Sequence, residues 1–335
     1  VDQMKNLGLK DWMTAKLDWQ KIEESRELGR KDFLNRCKKW SEELDKLIPK
    51  GARVVMAHTM AGGVPRAKVI MPAMNRVFKG HGVRFASSEE FWSTDLGKLC
   101  DQNFEEVTAD TLSYLIEVTT PLRARLQNEG GQISYVAYGY HGTEILVEGK
   151  YHWQSYSPYL QGFAKLKLEN IAKENWQKDV KISVFNAPEI LTNSSSIFLG
   201  VEVPLYTLMA ALKKENAEHS ITKEVLADCK EKLKEGTSLE DLMKMTDTYF
   251  TSAVIQQWTK FEEWPQHNGP EQMSQMRQIS DEIIALHKTN KDLMTSTLSE
   301  AVFKACGRIM LSEAAQPKTP VLWIGHDAVA RALLR

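Results

Sequence analysis

Residues 1 to 50 contain no Gly-x-Gly-x-x-Gly turn, and the 335-residue chain has no Cys-x-x-Cys pair and no histidines at metal-ligand spacing. The four cysteines, Cys37, Cys100, Cys229 and Cys306, lie far apart. That removes zinc and dithiol redox chemistry and makes reduced thiols in a cytoplasmic protein the expectation. No apolar run is long enough to span a bilayer, and the charged N-terminal stretch lacks the apolar core of a secretory signal. Charge of one sign is missing too. With 43 Lys+Arg against 44 Asp+Glu the formal net charge is −1, so neither nucleic acid nor an anionic membrane is an expected partner.

What is present is an alternation of short apolar runs with helical patterns. Arg53-Val-Val-Met-Ala-His, the run inside Gly131 to Gly142, Val180 to Phe185 and Pro320-Val-Leu-Trp-Ile predict strands. Phe163 to Trp176 predicts a helix between two of them. Two polar helices are expected before the first strand, Trp12 to Leu28 and Lys31 to Leu47, ended by Pro49-Lys-Gly51. The expected fold is therefore α/β: a Rossmann-like, mainly parallel sheet with helices on both faces and a helical C-terminal elaboration. Its divisions would be a helical segment 1–50, a core 51–215 and the elaboration 216–335, possible within one domain.

In such sheets chemistry sits at the C-terminal ends of the strands. Tyr138 and Tyr140 close the second strand, and Tyr156 and Lys165 follow with eight residues between them. A phenol is a poor acid at neutral pH, and a nearby ammonium favours its phenolate. Lysine also has donors to spare for a cofactor ribose. Taken singly, each residue has an ordinary reading: strand aromatics, a surface tyrosine, a solvated lysine. Thr192, Asn193 and Ser194 after the third strand are equally a simple turn or a set of hydroxyl and amide groups suited to an anion.

The order Tyr138-x-Tyr140-x-Gly142, Tyr156-x8-Lys165, then Thr192-Asn193-Ser194 and Pro204-Leu205-Tyr206 resembles the trans-2-enoyl-thioester reductases of the FabV/TER type, a divergent branch of the short-chain dehydrogenase/reductase superfamily. Arg53 to Gly62 with Arg66, and Phe261-Glu-Glu-Trp264, are weaker matches in the same order. The resemblance implies an NADH- or NADPH-dependent reductase acting on an enoyl thioester carried on CoA or acyl carrier protein. Tyr156, Lys165 and Tyr140 would be catalytic, and Lys165, Thr192, Asn193 and Ser194 would hold the cofactor.

The chain also departs from that family. The glycine-rich turn that opens it is not found, so a protein partner supplying the turn is one expectation. Gly325, at the junction after Pro320 to Ile324, is a single glycine and reads foremost as a strand-to-helix turn. Between Tyr140 and Tyr156 a lengthened loop, containing His141, His152 and Trp153, is expected, and Val64 to Leu99 has no counterpart; it would be a lid, a partner surface or an insertion. Lys68, Arg76, Lys79, His81 and Arg84 form a basic set that is either a solvated face or a phosphopantetheine patch. His58 and His141 approach the same strand ends, with a structural role the commoner one for a buried histidine. Two other functions fit these residues: a ketoreductase of the same superfamily, and a non-catalytic Rossmann-like scaffold that has lost the nucleotide turn.

Overall fold

A computed structural model describes residues 2–60, 63–79, 89–154, 160–192, 200–257, 270–289 and 295–335. In chain order its helices are α1 (Trp19–Leu47), α2 (Ile70–Lys79), α3 (Glu89–Trp92), α4 (Asp95–Glu105), α5 (Thr111–Val118), α6 (Thr120–Asn128), α7 (Leu160–Trp176), α8 (Glu202–Asn216), α9 (Ser220–Glu231), α10 (Leu239–Phe250), α11 (Ala253–Gln256), α12 (Pro270–Leu286), α13 (Thr295–Ala315) and α14 (His326–Leu333). The strands are β1 (Arg53–His58), β2 (Gln132–Tyr138), β3 (Thr143–Val147), β4 (Lys150–Gln154), β5 (Ile182–Asn186) and β6 (Val321–Trp323).

Four strands form one parallel sheet in the order β1-β2-β5-β6. The near-continuous apolar character of β2 and β5 follows from burial on both faces. Ile133, Tyr135 and Ala137 of β2 and Ile182 and Val184 of β5 share a core with Leu112 and Ile116 of α5, Leu122 and Leu126 of α6, and Leu168 and Ala172 of α7. On the opposite face Ser134 Oγ donates to the Ala314 carbonyl of α13 at 2.7 Å, and Ser183 Oγ to the Thr319 carbonyl at 2.8 Å. Helices thus cover both faces, and the fold is the α/β arrangement expected. A second core gathers the C-terminal helices around α8, where Leu208, Met209 and Leu212 are buried with Leu242, Ile283, Val302 and Val329.

Two expectations are corrected. The N-terminal polar stretch is one 29-residue helix, not two. It starts at Asp18, whose side chain accepts from Lys21 N at 3.2 Å, and runs through Gly29, beside which a Cβ would meet nothing. An exposed glycine inside a helix costs only about 1 kcal/mol, too little to end it. Trp12 lies before this helix, buried against Phe91. The stretch after His141 is likewise not a loop but the antiparallel hairpin β3–β4. Glu148 and Gly149 turn it with φ of 48° and 76°, the left-handed pair of a type I′ turn.

Residues 64–105 also find a place. Val69, Ile70, Ala73, Phe91, Leu96, Leu99 and Phe104 form a wing with Met4, Trp12 and Leu17, and Ala164 of α7 and Val201 are buried in it. Asp95 accepts from Leu17 N at 2.9 Å, joining the two stretches. A five-residue π turn, Glu106–Asp110, links α4 to α5. Lys167 of α7 pairs with Glu105 at 2.9 Å and Asp110 at 3.0 Å on either side of it.

Candidate active site

The C-terminal ends of the four parallel strands bring His58, Tyr138, Asn186 and Trp323 to one edge of the sheet. The chain leaves β2 through Gly139, whose N–H donates to the Phe185 carbonyl at 2.9 Å. A Cβ there would stand 2.3 Å from Asn186 Oδ1 and 2.9 Å from Val184 Cγ1, so glycine is required for this close approach. Tyr140 follows with φ of 137°, a region that side-chain-bearing residues rarely adopt. It packs against the N-terminal wing.

Lys165 enters from α7 and is only 5 % exposed. Its Nζ donates to the Tyr138 carbonyl at 2.5 Å. No carboxylate among the described residues lies within ion-pair distance of it, and burial pulls the ammonium down to about 8. Beside it His58 donates from Nε2 to Thr111 Oγ1 at 2.7 Å, because the Thr111 hydroxyl is itself spent on the Val107 carbonyl. Burial, and then the Lys165 charge, push His58 down to about 4. The imidazole is therefore neutral at physiological pH, leaving Lys165 as the cation of the pair.

One helical turn beyond Lys165, the fully buried Glu169 meets two polar side chains. His141 Nδ1 stands 2.5 Å from Glu169 Oε1, and Asn186 Nδ2 donates to the same oxygen at 2.7 Å. Trp323 meets the His141 ring edge-on at 4.9 Å, and Trp153 from the hairpin meets Trp323 at 4.7 Å. The hairpin is pinned over this corner by Thr143 Oγ1, which donates to the Ile324 carbonyl at 2.9 Å.

Of the residues expected from the sequence, Lys165 and Tyr140 converge on the end of β2. Thr192 is exposed on the segment leaving β5. Tyr156, Asn193, Ser194 and Phe261 to Trp264 lie outside the described residues, as do the side chains of Arg76, Lys79, His81 and Arg84. Gly325 is the N-cap of α14, the plain strand-to-helix junction expected foremost. Glu169 and Asn186 had no assigned role, since a helical glutamate and a strand-end asparagine carry no signal of partnership in one dimension.

Comparison with known proteins identifies the family of the chain. A family profile described as enoyl-acyl carrier protein reductase FabMG matches residues 1–333. The chain belongs to the FabMG family of enoyl-acyl carrier protein reductases. A solved apo structure of a FabMG, described as a novel type of enoyl-acyl carrier protein reductase, is 46% identical with a TM-score of 0.94, covering 99% of this chain and 75% of that one. An NADH-bound FabMG structure is 41% identical with a TM-score of 0.78, covering 98% of this chain and 77% of the other. No curated protein matches. The enzyme class implied by the tyrosine–lysine run is thus the class found, and the type that matches is FabMG, a distinct one from the FabV/TER type. No described helix is long and apolar enough to cross a membrane.

Proposed function

We propose that this FabMG protein reduces the C2–C3 double bond of an enoyl thioester on acyl carrier protein, with NADH as reductant. The observation that carries the reading is the buried, carboxylate-free Lys165 at the C-terminal edge of a parallel sheet, in a chain whose family is named for this reaction. The ketone-directed chemistry of the wider superfamily would use the same groups, and the family match favours the enoyl substrate.

The residues fit the nicotinamide end of a dinucleotide. Among the described residues Lys165 donates only to the Tyr138 carbonyl, which leaves two of its three N–H groups for a ribose hydroxyl and a phenol. By the resemblance, Thr192, Asn193 and Ser194 would line that end with hydroxyl and amide groups. When bound, the nicotinamide supplies a hydride to C3 of the acyl chain. The protein's part is electrostatic: Tyr140 or Tyr156 holds the thioester oxygen as enolate charge develops, and Lys165 lowers the cost of that charge. A proton delivered to C2 completes the saturated thioester.

A pyrophosphate would be expected where the strand order reverses. The order β1-β2-β5-β6 runs one way along the chain, and a dinucleotide crevice lies where strand order reverses. Such a reversal would fall at β1, whose Val55 is 45 % exposed. We read this edge as the place where a further unit carrying a nucleotide turn joins, from elsewhere in the polypeptide or from a partner. Amide exchange tests the edge: β1 amides facing away from β2 exchange fast in the protein alone and become protected when the unit is present.

The reaction is tested by following nicotinamide absorbance with NADH and crotonyl-carrier protein, beside acetoacetyl-carrier protein. Turnover of the enoyl substrate alone supports the reading. Turnover of the ketone alone would replace it with a ketoreductase.

A further inference from the structure

Resting on the reductase reading above, we infer that Glu169 and His141 are positioning residues that aim Tyr140 and register it against Lys165. Three elements meet at one carboxylate oxygen: the loop after β2 through His141 Nδ1 at 2.5 Å, the end of β5 through Asn186 Nδ2 at 2.7 Å, and α7, which carries Glu169 itself. Glu169 is fully buried, and Lys173 Nζ, 3.9 Å from its other oxygen, is the nearest cation. A carboxylate so placed is poorly justified by stability, because its desolvation is repaid only by the donors around it.

Position explains its use. Tyr140 is the residue immediately before His141, and its φ of 137° persists only if the surroundings dictate it. His141 supplies that constraint: its Nδ1 stands 2.5 Å from Glu169 Oε1 on one side and its ring is wedged edge-on against Trp323 at 4.9 Å. Glu169 lies four residues after Lys165 on the same face of α7, so one side chain fixes both the helix of the lysine and the loop of the tyrosine. Gly139 completes the fit, since only the absence of a Cβ lets Asn186 reach under the loop.

The test measures kcat and KM with NADH and crotonyl-carrier protein for His141→Asn, Tyr140→Phe and their combination. His141→Asn should lower kcat about tenfold with the KM for NADH held within about twofold, and the double variant should be no slower than Tyr140→Phe alone. Independent, multiplying losses would overturn the inference. If the unaltered protein shows no turnover with the unit that carries the nucleotide turn present, the reductase reading fails, and a second measurement decides the positioning separately. A 3-fluorotyrosine at position 140 should give one narrow fluorine resonance that shifts or splits in Glu169→Ala and returns in Glu169→Gln, which keeps an acceptor for His141. A resonance unmoved by Glu169→Ala would contradict the inference.

Discussion

Lys165 donates to the Tyr138 carbonyl from a site 5 % exposed, and the same burial that positions its ammonium works against its charge. The folded ammonium titrates at about 8 against 10.5 when free. Below pH 8 both folded and unfolded states hold the proton, and burying it costs about 3 kcal/mol. Between pH 8 and 10.5 only the unfolded state keeps it, so this group's contribution to stability rises with pH.

Lys165→Met should therefore stabilise the protein at pH 7 by about 2 kcal/mol, after allowing for the lost hydrogen bond, while abolishing turnover. Chemical denaturation at pH 7 and pH 10 checks it. The advantage of the variant should shrink at the higher pH; destabilisation at pH 7 would contradict the account.

An acid limb should run in the opposite pH window. His58 is held down to about 4 and His326 to about 3, both chiefly by burial. The unfolded state takes up protons as pH falls below 6.5, and the folded state does not until these lower values. Stability present above pH 6.5 is thus lost on acidification, by about 3 kcal/mol for His58 alone. His58→Gln keeps a donor for Thr111 and should flatten that part of the curve of denaturation midpoint against pH.

Much of the sheet was legible in the sequence because β1, β2, β5 and β6 are apolar runs closed by turn residues, and α7 has helical spacing between two of them. Glu148-Gly149 was not read as a turn because glutamate is a poor left-handed residue, so the hairpin looked like a loop. The N-terminal stretch read as two helices because one dimension does not show that α1 is held elsewhere, through Arg125–Asp45 at 2.5 Å and Arg26–Glu106 at 2.9 Å. At the site, the resemblance carried Lys165 and Tyr140. The Glu169 junction was invisible, since Glu169, His141 and Asn186 come from separate stretches and mean nothing until the sheet brings them together.

The Gly139 approach gives a steric prediction. Gly139→Ala should cost about 2–3 kcal/mol, because its methyl would stand 2.3 Å from Asn186 Oδ1. Asn186→Ser shortens the obstructing side chain, so the double variant should lose less than the two single losses added, and simple additivity in urea denaturation would contradict this packing.

The hairpin offers a stabilising change. Glu148 holds a φ of 48° that costs an ordinary side chain energy and asparagine much less. Glu148→Asn should raise stability by about 0.5–1 kcal/mol while its backbone N–H keeps the Asp247 carboxylate at 2.9 Å. A thermal unfolding scan at one pH suffices to check it.

The most direct test of the central claim is NADH oxidation with crotonyl-carrier protein, with the unit that carries the nucleotide turn present, by the unaltered protein, Tyr156→Phe and Lys165→Ala. Turnover in the unaltered protein, falling by about 100-fold or more in both variants, is the predicted result. Turnover that survives Lys165→Ala would contradict the account, because it would place the chemistry away from the end of β2.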